Sequence, residues 1–228
     1  MSDSPDSARA QERLKLAAIA AALGLDASAH QIEVALDFLD LLQRWNATYN
    51  LTAVRERESM LTQHLADCLS VVPPLARHAP SGRLLDVGSG GGLPGAVIAT
   101  MLPTWEVTCV DAVSKKAAFV RQAAAALRLP NLRALHARVE TLRGPAFDVV
   151  TSRAFASLAD FVRGSAHLLA PGGVWMAMKG RPPAGEIAAL PPGVEMFHVE
   201  RLDVPGLQAH RCLVWMRPRG VGATACVP

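Results

Sequence analysis

The sequence predicts an α/β protein whose core is a seven-stranded, mostly parallel sheet that ends in an antiparallel hairpin. Three patterns carry this prediction. From residue 83 onward, short apolar runs alternate with helical stretches, and a glycine-rich segment directly follows the first run. Near the C-terminal end, two apolar runs are separated only by a short loop. Strands that alternate with helices form parallel sheets, whereas strands joined by a short loop pair antiparallel.

The composition is that of a globular protein. The chain has 228 residues, of which 50% are hydrophobic and 19% charged, enough for one α/β domain with a modest extension. No apolar run approaches the roughly 20 residues that a membrane-spanning helix needs, and the polar first residues do not resemble a signal peptide. We therefore expect a cytoplasmic protein that does not bind membranes. The net charge of +3 is compatible with an RNA partner.

The cysteines predict neither a metal site nor a disulfide framework. Cys68, Cys109, Cys212 and Cys226 are far apart and form no Cys-x-x-Cys pair. Two of them, Cys109 and Cys212, lie within apolar runs, and we expect them to be buried free thiols. We expect no metal, and nothing in the sequence indicates an obligate dimer, so a monomer is expected.

Residues 1–80 predict a helical extension that packs on the α/β domain. A first helix covers residues 8–25 and ends near Gly24. A second begins at Ser28, because Gln31 stands three residues later in the pattern of a capping box. A third covers residues 59–72, and Pro73-Pro74 is expected to stop it.

The sequence predicts the α/β domain over residues 81–218 and a mobile tail over residues 219–228. Near-continuous apolar strands indicate a parallel sheet that helices cover on both faces. The predicted helices of the domain are 94–101, 114–129 and 158–169. The predicted strands are 84–87, 107–110, 132–136, 147–151, 174–178, 195–204 and 211–217.

The glycine-rich segment 88–95 is the first candidate for a ligand site. It follows the predicted strand 84–87, and glycines such as Gly88 and Gly90 let the chain turn and a ligand approach the backbone. Ligands of open α/β sheets bind at such carboxyl ends of strands. Its Gly90-x-Gly92-x-x-Gly95 pattern also satisfies the dinucleotide fingerprint, so an NAD(P)-dependent oxidoreductase is the alternative.

Two features favour S-adenosyl-L-methionine over a dinucleotide. Asp86 opens a D-x-G-x-G-x-G pattern in which an acidic group can face the methionine ammonium. The second feature is the antiparallel hairpin at the end of the predicted sheet, which is typical of a class I methyltransferase with a Rossmann-like fold. Asp111, which ends the second strand, can accept hydrogen bonds from ribose hydroxyls of either ligand.

Several motifs resemble those of one family. The segment 45–55, WNATYNLTAVR, matches the pattern WNxxYNLTxxR, and 64–70, HLADCLS, matches HxxDSL with Cys68 in place of serine. The loop DVGSGGGLPG and the segments 138–140, 152–157 and 178–180 follow in the same order. Over residues 32–217 the chain therefore resembles RsmG, also called glucose-inhibited division protein B, a family of bacterial 16S rRNA methyltransferases.

The resemblance implies an activity and a set of donor contacts. Members of the family methylate N7 of one guanine, at position 527 of the 16S rRNA in the small (30S) ribosomal subunit. The residues that match the family's donor contacts are Gly88, Leu93, Val139, Glu140 and Arg153. An RNA-binding protein without activity is a third possibility, and the intact Asp86, Gly88, Asp111 and Arg153 argue against it.

Other candidate residues keep two interpretations each. Arg153 is expected to hold the donor or the incoming guanine, and its alternative is a surface ion pair. Phe155 either stacks on the target base or packs under the loop. The basic residues Lys179, Arg181 and Arg55 either hold RNA phosphates or are simply solvated.

His64 and Asp67 are three residues apart on a helix, so they lie on one face. The pair either lines the site or ties the N-terminal helices to the α/β domain. Trp45, Asn46, Tyr49 and Asn50 are interpreted as packing and turn residues rather than as catalytic ones.

The implied reaction needs alignment rather than proton removal. N7 of guanine carries an in-plane lone pair and no proton, so no general base is required. Consistently, the segment after the fourth predicted strand reads Ser152-Arg-Ala-Phe155 instead of Asn-Pro-Pro-Tyr. Alignment of the reacting atoms can contribute roughly 7–11 kcal/mol.

Overall fold

A computed structural model of the chain describes residues 5–153 and 155–220. The strands form one seven-stranded sheet in the order β3-β2-β1-β4-β5-β7-β6. β1 to β5 run parallel, whereas β7 pairs antiparallel with both β5 and β6. The predicted α/β fold with an antiparallel C-terminal hairpin is therefore confirmed. The strands are β1 Gly82–Val87, β2 Trp105–Asp111, β3 Leu132–His136, β4 Phe147–Ser152, β5 Leu169–Lys179, β6 Val194–Leu202 and β7 Arg211–Pro218.

Helices precede the sheet and connect most of its strands. A π-helical segment, Leu61–Ala66, joins α3 to α4, so that residues 57–69 form one continuous helix. Short 3-10 turns cover Val139–Thr141 and Ala166–Leu168. The α-helices are α1 Pro5–Ala22, α2 Ala29–Tyr49, α3 Arg57–Met60, α4 Asp67–Leu69, α5 Val72–His78, α6 Gly95–Met101, α7 Ser114–Ala126, α8 Leu158–Ser165 and α9 Ala184–Ala188.

The start of α2 confirms the predicted capping box. Ser28 Oγ accepts from the backbone N–H of Gln31 at 3.2 Å, and Gln31 Oε1 accepts from the backbone N–H of Ser28 at 3.0 Å. The side-chain amide of Gln31 also donates to the carbonyl of Thr100 at 3.0 Å. The cap therefore ties the N-terminal helices to the end of α6.

The prediction that Pro73-Pro74 ends a helix is wrong. The two prolines lie in the first turn of α5, which starts at Val72. First-turn residues need no intrahelical N–H donor, so proline fits there as well as after a helix.

Helices cover the two faces of the sheet unequally. α6 and α7, with α2 packed on them, cover one face, where Phe38 and Phe119 are buried. On the other face, α8 packs on β5, and its side chains share a hydrophobic cluster with Leu85 of β1 and Val150 of β4, whereas the connection from β3 to β4 contains a 3-10 turn in place of an α-helix. Among the described residues no helix covers that face of β2 and β3, where Glu106, Arg133 and Leu135 are exposed. The prediction of helices on both faces is thus wrong there.

The N-terminal extension and the sheet share one hydrophobic core. Leu16 and Leu36 of the extension belong to the same cluster of buried side chains as Leu84 and Val97 of the α/β domain. Cys109 and Cys212 are buried free thiols, as predicted. In the described part of the chain, no helix is long and apolar enough to cross a membrane.

The predicted mobile tail falls mostly on residues 221–228, which lie outside the described residues. Just before them, the backbone N–H of Arg219 donates to the carbonyl of Gly193 at 2.8 Å.

Candidate functional site

The glycine-rich loop leaves the end of β1 and leads into α6. Gly88 and Gly90 have φ values of 65° and 57°, which strain any residue with a side chain. A Cβ built at either position meets nothing within 4 Å, so both backbones face open space. The loop therefore offers a ligand close access to its backbone. Leu93, by contrast, is buried in the core at 3% exposure and lines neither of the cavities described below.

Asp111, the last residue of β2, anchors this loop. Its Oδ2 accepts from the backbone N–H of Gly90 at 2.9 Å, and its Oδ1 accepts from that of Val113 at 2.8 Å. An ionised carboxylate has about four acceptor positions, so further donors can bind. Asp111 is thus fixed in place with acceptor capacity left for a ligand.

A cavity of about 160 Å³ opens between the loop and the ends of β2 and β3. We call it the glycine-loop cavity. It brings together four of the predicted donor-binding residues and Phe155, which was predicted on the substrate side. Its predicted members are Gly88, Asp111, Val139, Glu140 and Phe155.

Phe155 lies in this cavity and packs against Phe161 of α8, with ring centroids 5.5 Å apart. It does not line the cavity that contains Arg153. The structure thus places Phe155 in the glycine-loop cavity, and stacking on a target base remains a prediction.

Asp86 is fully buried beneath the loop. Its Oδ2 accepts from the backbone N–H of Gly95 at 2.9 Å, while Oδ1 has no hydrogen-bond partner within the described residues. Burial raises the pKa of Asp86 to about 7. Asp86 thus holds the start of α6 against β1, and its predicted contact with a ligand ammonium stays a prediction.

A second cavity, of about 360 Å³, lies beside the ends of β4 and β5. We call it the arginine cavity. Arg153 follows β4, Lys179 ends β5, and Arg211 begins β7, so three basic residues meet at one edge of the sheet. Its lining residues are Gln63, His64, Asp67, Arg153, Met178, Lys179, Gly180 and Arg211.

Asp67 is the acidic centre of the arginine cavity. Its Oδ1 accepts from Nε of Arg211 at 2.7 Å, and its Oδ2 lies 3.6 Å from Nη1 of Arg153. Arg153 also donates to the carbonyl of Gln63 at 3.2 Å. Arg153 is therefore neither a surface ion pair nor free, because a buried carboxylate fixes it at the cavity wall.

His64 and Asp67 do not pair with each other, although both line the arginine cavity and Asp67 ties the N-terminal extension to Arg211 of the α/β domain. His64 Nε2 instead lies 2.8 Å from Oγ1 of Thr52, and Asp67 is occupied by the arginines. Burial, and secondly the charge of Arg153, lowers the pKa of His64 to about 4. His64 is thus an uncharged residue in the wall of the arginine cavity near pH 7.

The other predicted basic residues are not free phosphate ligands of the cavity. Lys179 Nζ pairs with Glu186 of α9 at 2.8 Å and is only 14% exposed. Arg181 is exposed beyond the end of β5 and does not line the cavity. Arg55 is exposed on the loop before α3, where it donates to Oδ1 of Asn50 at 3.2 Å.

The segment around Trp45 packs and caps, as predicted. Asn50 ends α2 with φ of 49°, and Asn46 Oδ1 accepts from the backbone N–H of Thr52 at 2.9 Å. Trp45 meets Phe119 edge-on at 5.5 Å. This packing sets the position of Thr52 and, through it, of His64.

Two charged residues at the arginine cavity, Arg211 and Glu186, escaped the sequence analysis. Arg211 was missed because only the pairing of β7 with β5, which sets Cys212 opposite Lys179, brings it to this edge. The predicted hairpin could have indicated it, since Arg211 opens the second hairpin strand. Glu186, which neutralises Lys179, carries no sequence signal beyond its charge.

No metal cluster accompanies these cavities. Across residues 5–153 and 155–220, no group of three or more His, Cys, Asp or Glu side chains is arranged to hold a metal ion.

Comparison with known proteins identifies the family. The family model described as rRNA small subunit methyltransferase G (GidB) matches residues 31–214. The chain is 61% identical over 207 residues to the ribosomal RNA small subunit methyltransferase G of Acidovorax sp., which covers 86% of this chain and 91% of the relative. The corresponding protein of Leptothrix cholodnii is 58% identical over 215 residues, or 93% of this chain and 99% of the relative.

Solved structures agree on the fold. TrmN from Thermus thermophilus superposes with a TM-score of 0.53 at 25% identity, covering 70% of this chain and 53% of TrmN. A Burkholderia thailandensis 1,6-didemethyltoxoflavin-N1-methyltransferase, solved with S-adenosylhomocysteine, gives 0.54 at 18% identity, covering 69% and 80%. The fold is that of S-adenosylmethionine-dependent methyltransferases, and none of these similarities supports the oxidoreductase alternative. The chain belongs to the GidB family of rRNA small subunit methyltransferases G.

Proposed function

We propose that this chain transfers the methyl group of S-adenosyl-L-methionine to N7 of a guanine, position 527, in bacterial 16S rRNA. The observation that carries the proposal is the family match over residues 31–214, which contains the lining of both cavities. The relatives that match over most of their length are named as methyltransferases of small-subunit rRNA.

The glycine-loop cavity fits the nucleoside part of the donor. Gly88 and Gly90 leave open space at their α-carbons, and Asp111 retains acceptor positions suited to two ribose hydroxyls. Val139 and Glu140 line the same cavity one strand further along, where an adenine would extend. When bound, S-adenosylmethionine supplies an electrophilic methyl group on a sulfonium centre.

The arginine cavity fits the acceptor side of the reaction. It lies beside the ends of β4 and β5, whereas the glycine-loop cavity lies at the ends of β1, β2 and β3. Arg153 and Phe155 stand two residues apart on one loop, and each lines a different cavity. A base held in the arginine cavity would therefore approach the donor across this loop.

The two groups of the arginine cavity best suited to remove a proton, the Asp67 carboxylate and His64 Nε2, already have partners, which favours an acceptor without a proton. Both Asp67 oxygens face arginines, and Lys179 is paired with Glu186. Nε2 of His64 is taken by Thr52. Guanine N7 needs no base, because its lone pair is available at neutral pH. The side chains then act by holding and orienting the base and by excluding water.

We further propose that the enzyme works in the cytoplasm as a monomer without a metal, on the 16S rRNA or on the 30S subunit. Its RNA contacts would include exposed arginines near the two cavities, among them Arg55 and Arg181.

Methylation in vitro tests the proposal. The protein is incubated with labelled S-adenosylmethionine and either purified 30S subunits or free 16S rRNA, and the RNA is digested to nucleosides for mass spectrometry. The expected product is N7-methylguanosine, at up to one per 16S rRNA. Label in another nucleoside, in protein or in DNA would contradict the proposal, as would calorimetric binding of NADH but not of S-adenosylmethionine.

A further inference from the structure

Two arginines from distant parts of the chain share one buried carboxylate in the arginine cavity. Arg211 donates from Nε to Asp67 at 2.7 Å, and Arg153 lies on the other oxygen at 3.6 Å. The Asp67 side chain is only 3% exposed, whereas those of Arg153 and Arg211 are 27% and 25% exposed. The carboxylate therefore fixes both guanidinium groups while each still reaches the cavity.

The arginine cavity holds one positive charge that its acidic groups do not balance. The charge of Lys179 is balanced by Glu186. His64 is neutral near pH 7, because burial and the nearby arginine lower its pKa. The single carboxylate of Asp67 then faces two guanidinium groups. An anion in the cavity would complete the charge balance. The remaining lining residues, Gln63, Met178 and Gly180, are uncharged.

Each guanidinium also has N–H groups left for a ligand. Nε of Arg211 serves Asp67, and its Nη1 donates to the carbonyl of His210 at 3.0 Å. Arg153 uses Nη1 for the carbonyl of Gln63. Counting only partners among the described residues, Nη2 of both arginines makes no hydrogen bond. Guanidinium groups with free N–H pairs bind carboxylates and phosphates, often through two parallel hydrogen bonds.

The geometry points to Arg211 as a second oxyanion ligand of the active site, which forms with Arg153 a subsite for one anionic group and is held in place by Asp67. The inference rests on the proposed function, which brings two such anions to the site. One is the carboxylate of the donor's methionine part, and the other is a phosphate of the rRNA beside the target guanine. Both present paired oxygens to a guanidinium.

The experiment compares Arg211→Gln, which removes the charge, with Arg211→Lys, which keeps it but loses the paired N–H groups. Arg201→Gln is the matched control, because Arg201 is on the same hairpin, 74% exposed, and paired only loosely with Asp203 at 3.5 Å. Calorimetry measures the Kd of S-adenosylmethionine and of its decarboxylated analogue. Initial rates give the KM for 30S subunits at several salt concentrations.

The two possible sources of the anion predict different changes in Kd and KM. If the subsite holds the donor carboxylate, Arg211→Gln raises the Kd of S-adenosylmethionine about tenfold or more and leaves that of the decarboxylated analogue unchanged. If it holds an rRNA phosphate, donor binding stays normal, the KM for 30S subunits rises, and the slope of log KM against log salt falls by about 0.7–0.9. Both patterns support the subsite, and Arg211→Lys should restore only part of the loss.

Values of all three quantities within about twofold of wild type in a folded Arg211→Gln protein would overturn the inference. So would a lowered melting temperature with unchanged salt slope and unchanged donor discrimination, which is the pattern of a purely structural arginine. Should Arg211→Gln fail to fold, phenylglyoxal modification of the wild-type protein replaces it. Protection of Arg211 by donor or by 16S rRNA supports the subsite, and protection by neither overturns it. Failure of the proposed function would instead show in the wild-type protein, as absence of methyl transfer.

Discussion

Oδ1 of Asp67 and Nε of Arg211 are 2.7 Å apart, and this contact joins α4 of the N-terminal extension to β7 of the sheet. Arg153, which follows β4, meets the same carboxylate. One buried residue of the N-terminal extension therefore positions two arginines of the α/β domain. The extension thus forms part of the wall of the arginine cavity, which we propose as the acceptor side of the reaction.

Asp67→Asn should destabilise the protein. The substitution removes the charged acceptor of the Arg211 hydrogen bond and the ion-pair partner of Arg153, and a hydrogen bond to a charged group contributes about 1.5–3 kcal/mol. We expect the free energy of unfolding in urea to fall by about 2–3 kcal/mol. Asp203→Asn is the control, because Asp203 is 93% exposed in its pair with Arg201 and should change stability by less than about 0.5 kcal/mol. Equal effects of the two variants would contradict this account of Asp67.

Arg153→Ala should lose most activity while the protein remains folded. Arg153 is partly exposed at the cavity wall and contributes little apolar packing, so its loss should act mainly on the reaction. We expect kcat/KM on 30S subunits to fall at least about tenfold. Arg163→Ala removes an exposed arginine that pairs with Asp160 on α8, and it should leave the rate unchanged. A near-normal rate in Arg153→Ala would remove Arg153 from the site.

Asp111→Asn should weaken donor binding. Asp111 is the carboxylate that we expect to accept the ribose hydroxyls, and Asn keeps its size but has no charge and fewer acceptors. The Kd of S-adenosylmethionine should rise about tenfold or more in calorimetry. Asp160→Asn, at an exposed position on α8, should bind the donor as wild type does. An unchanged Kd in Asp111→Asn would mean that the donor does not bind at the end of β2.

His64 should make the protein less stable in acid. Its pKa is about 4 in the folded chain and about 6.5 when unfolded, so at intermediate pH only the unfolded chain takes up the proton. The stability contribution is therefore present above pH 6.5 and is lost as the pH falls towards 4, by about 3 kcal/mol at most. The melting temperature of His64→Gln should fall less over this range than that of wild type. The exposed His30→Gln should follow wild type, and parallel curves for all three proteins would refute the burial argument.

Much of the fold could be predicted because its signals are local. The apolar runs gave the strands, and Ser28 with Gln31 gave the start of α2 together with both of its hydrogen bonds. The glycine loop and Asp111 could be placed together because parallel strands end at one edge of a sheet. The prediction from Pro73-Pro74 was wrong because proline fits both the position after a helix and the first turn of the next one.

The remainder depends on contacts that no local pattern encodes. Spacing on a helix placed His64 and Asp67 on one face, but partners from β4 and β7 decide that Asp67 binds arginines instead. Likewise, Lys179 was predicted as a candidate to bind RNA phosphate, but in the folded chain it pairs with Glu186 of α9. The partners of Asp67 and of Lys179 are both set by contacts between separate elements of the fold.

The most direct test of the central claim is chemical cleavage of 16S rRNA at N7-methylguanosine. Subunits that lack the modification are incubated with the protein, with or without S-adenosylmethionine. Their rRNA is then treated with borohydride and aniline, and primer extension locates the breaks. The account predicts a single donor-dependent break, at guanine 527, that Arg153→Ala largely removes. Methyl transfer without such a break, or with the break at another guanine, would contradict it.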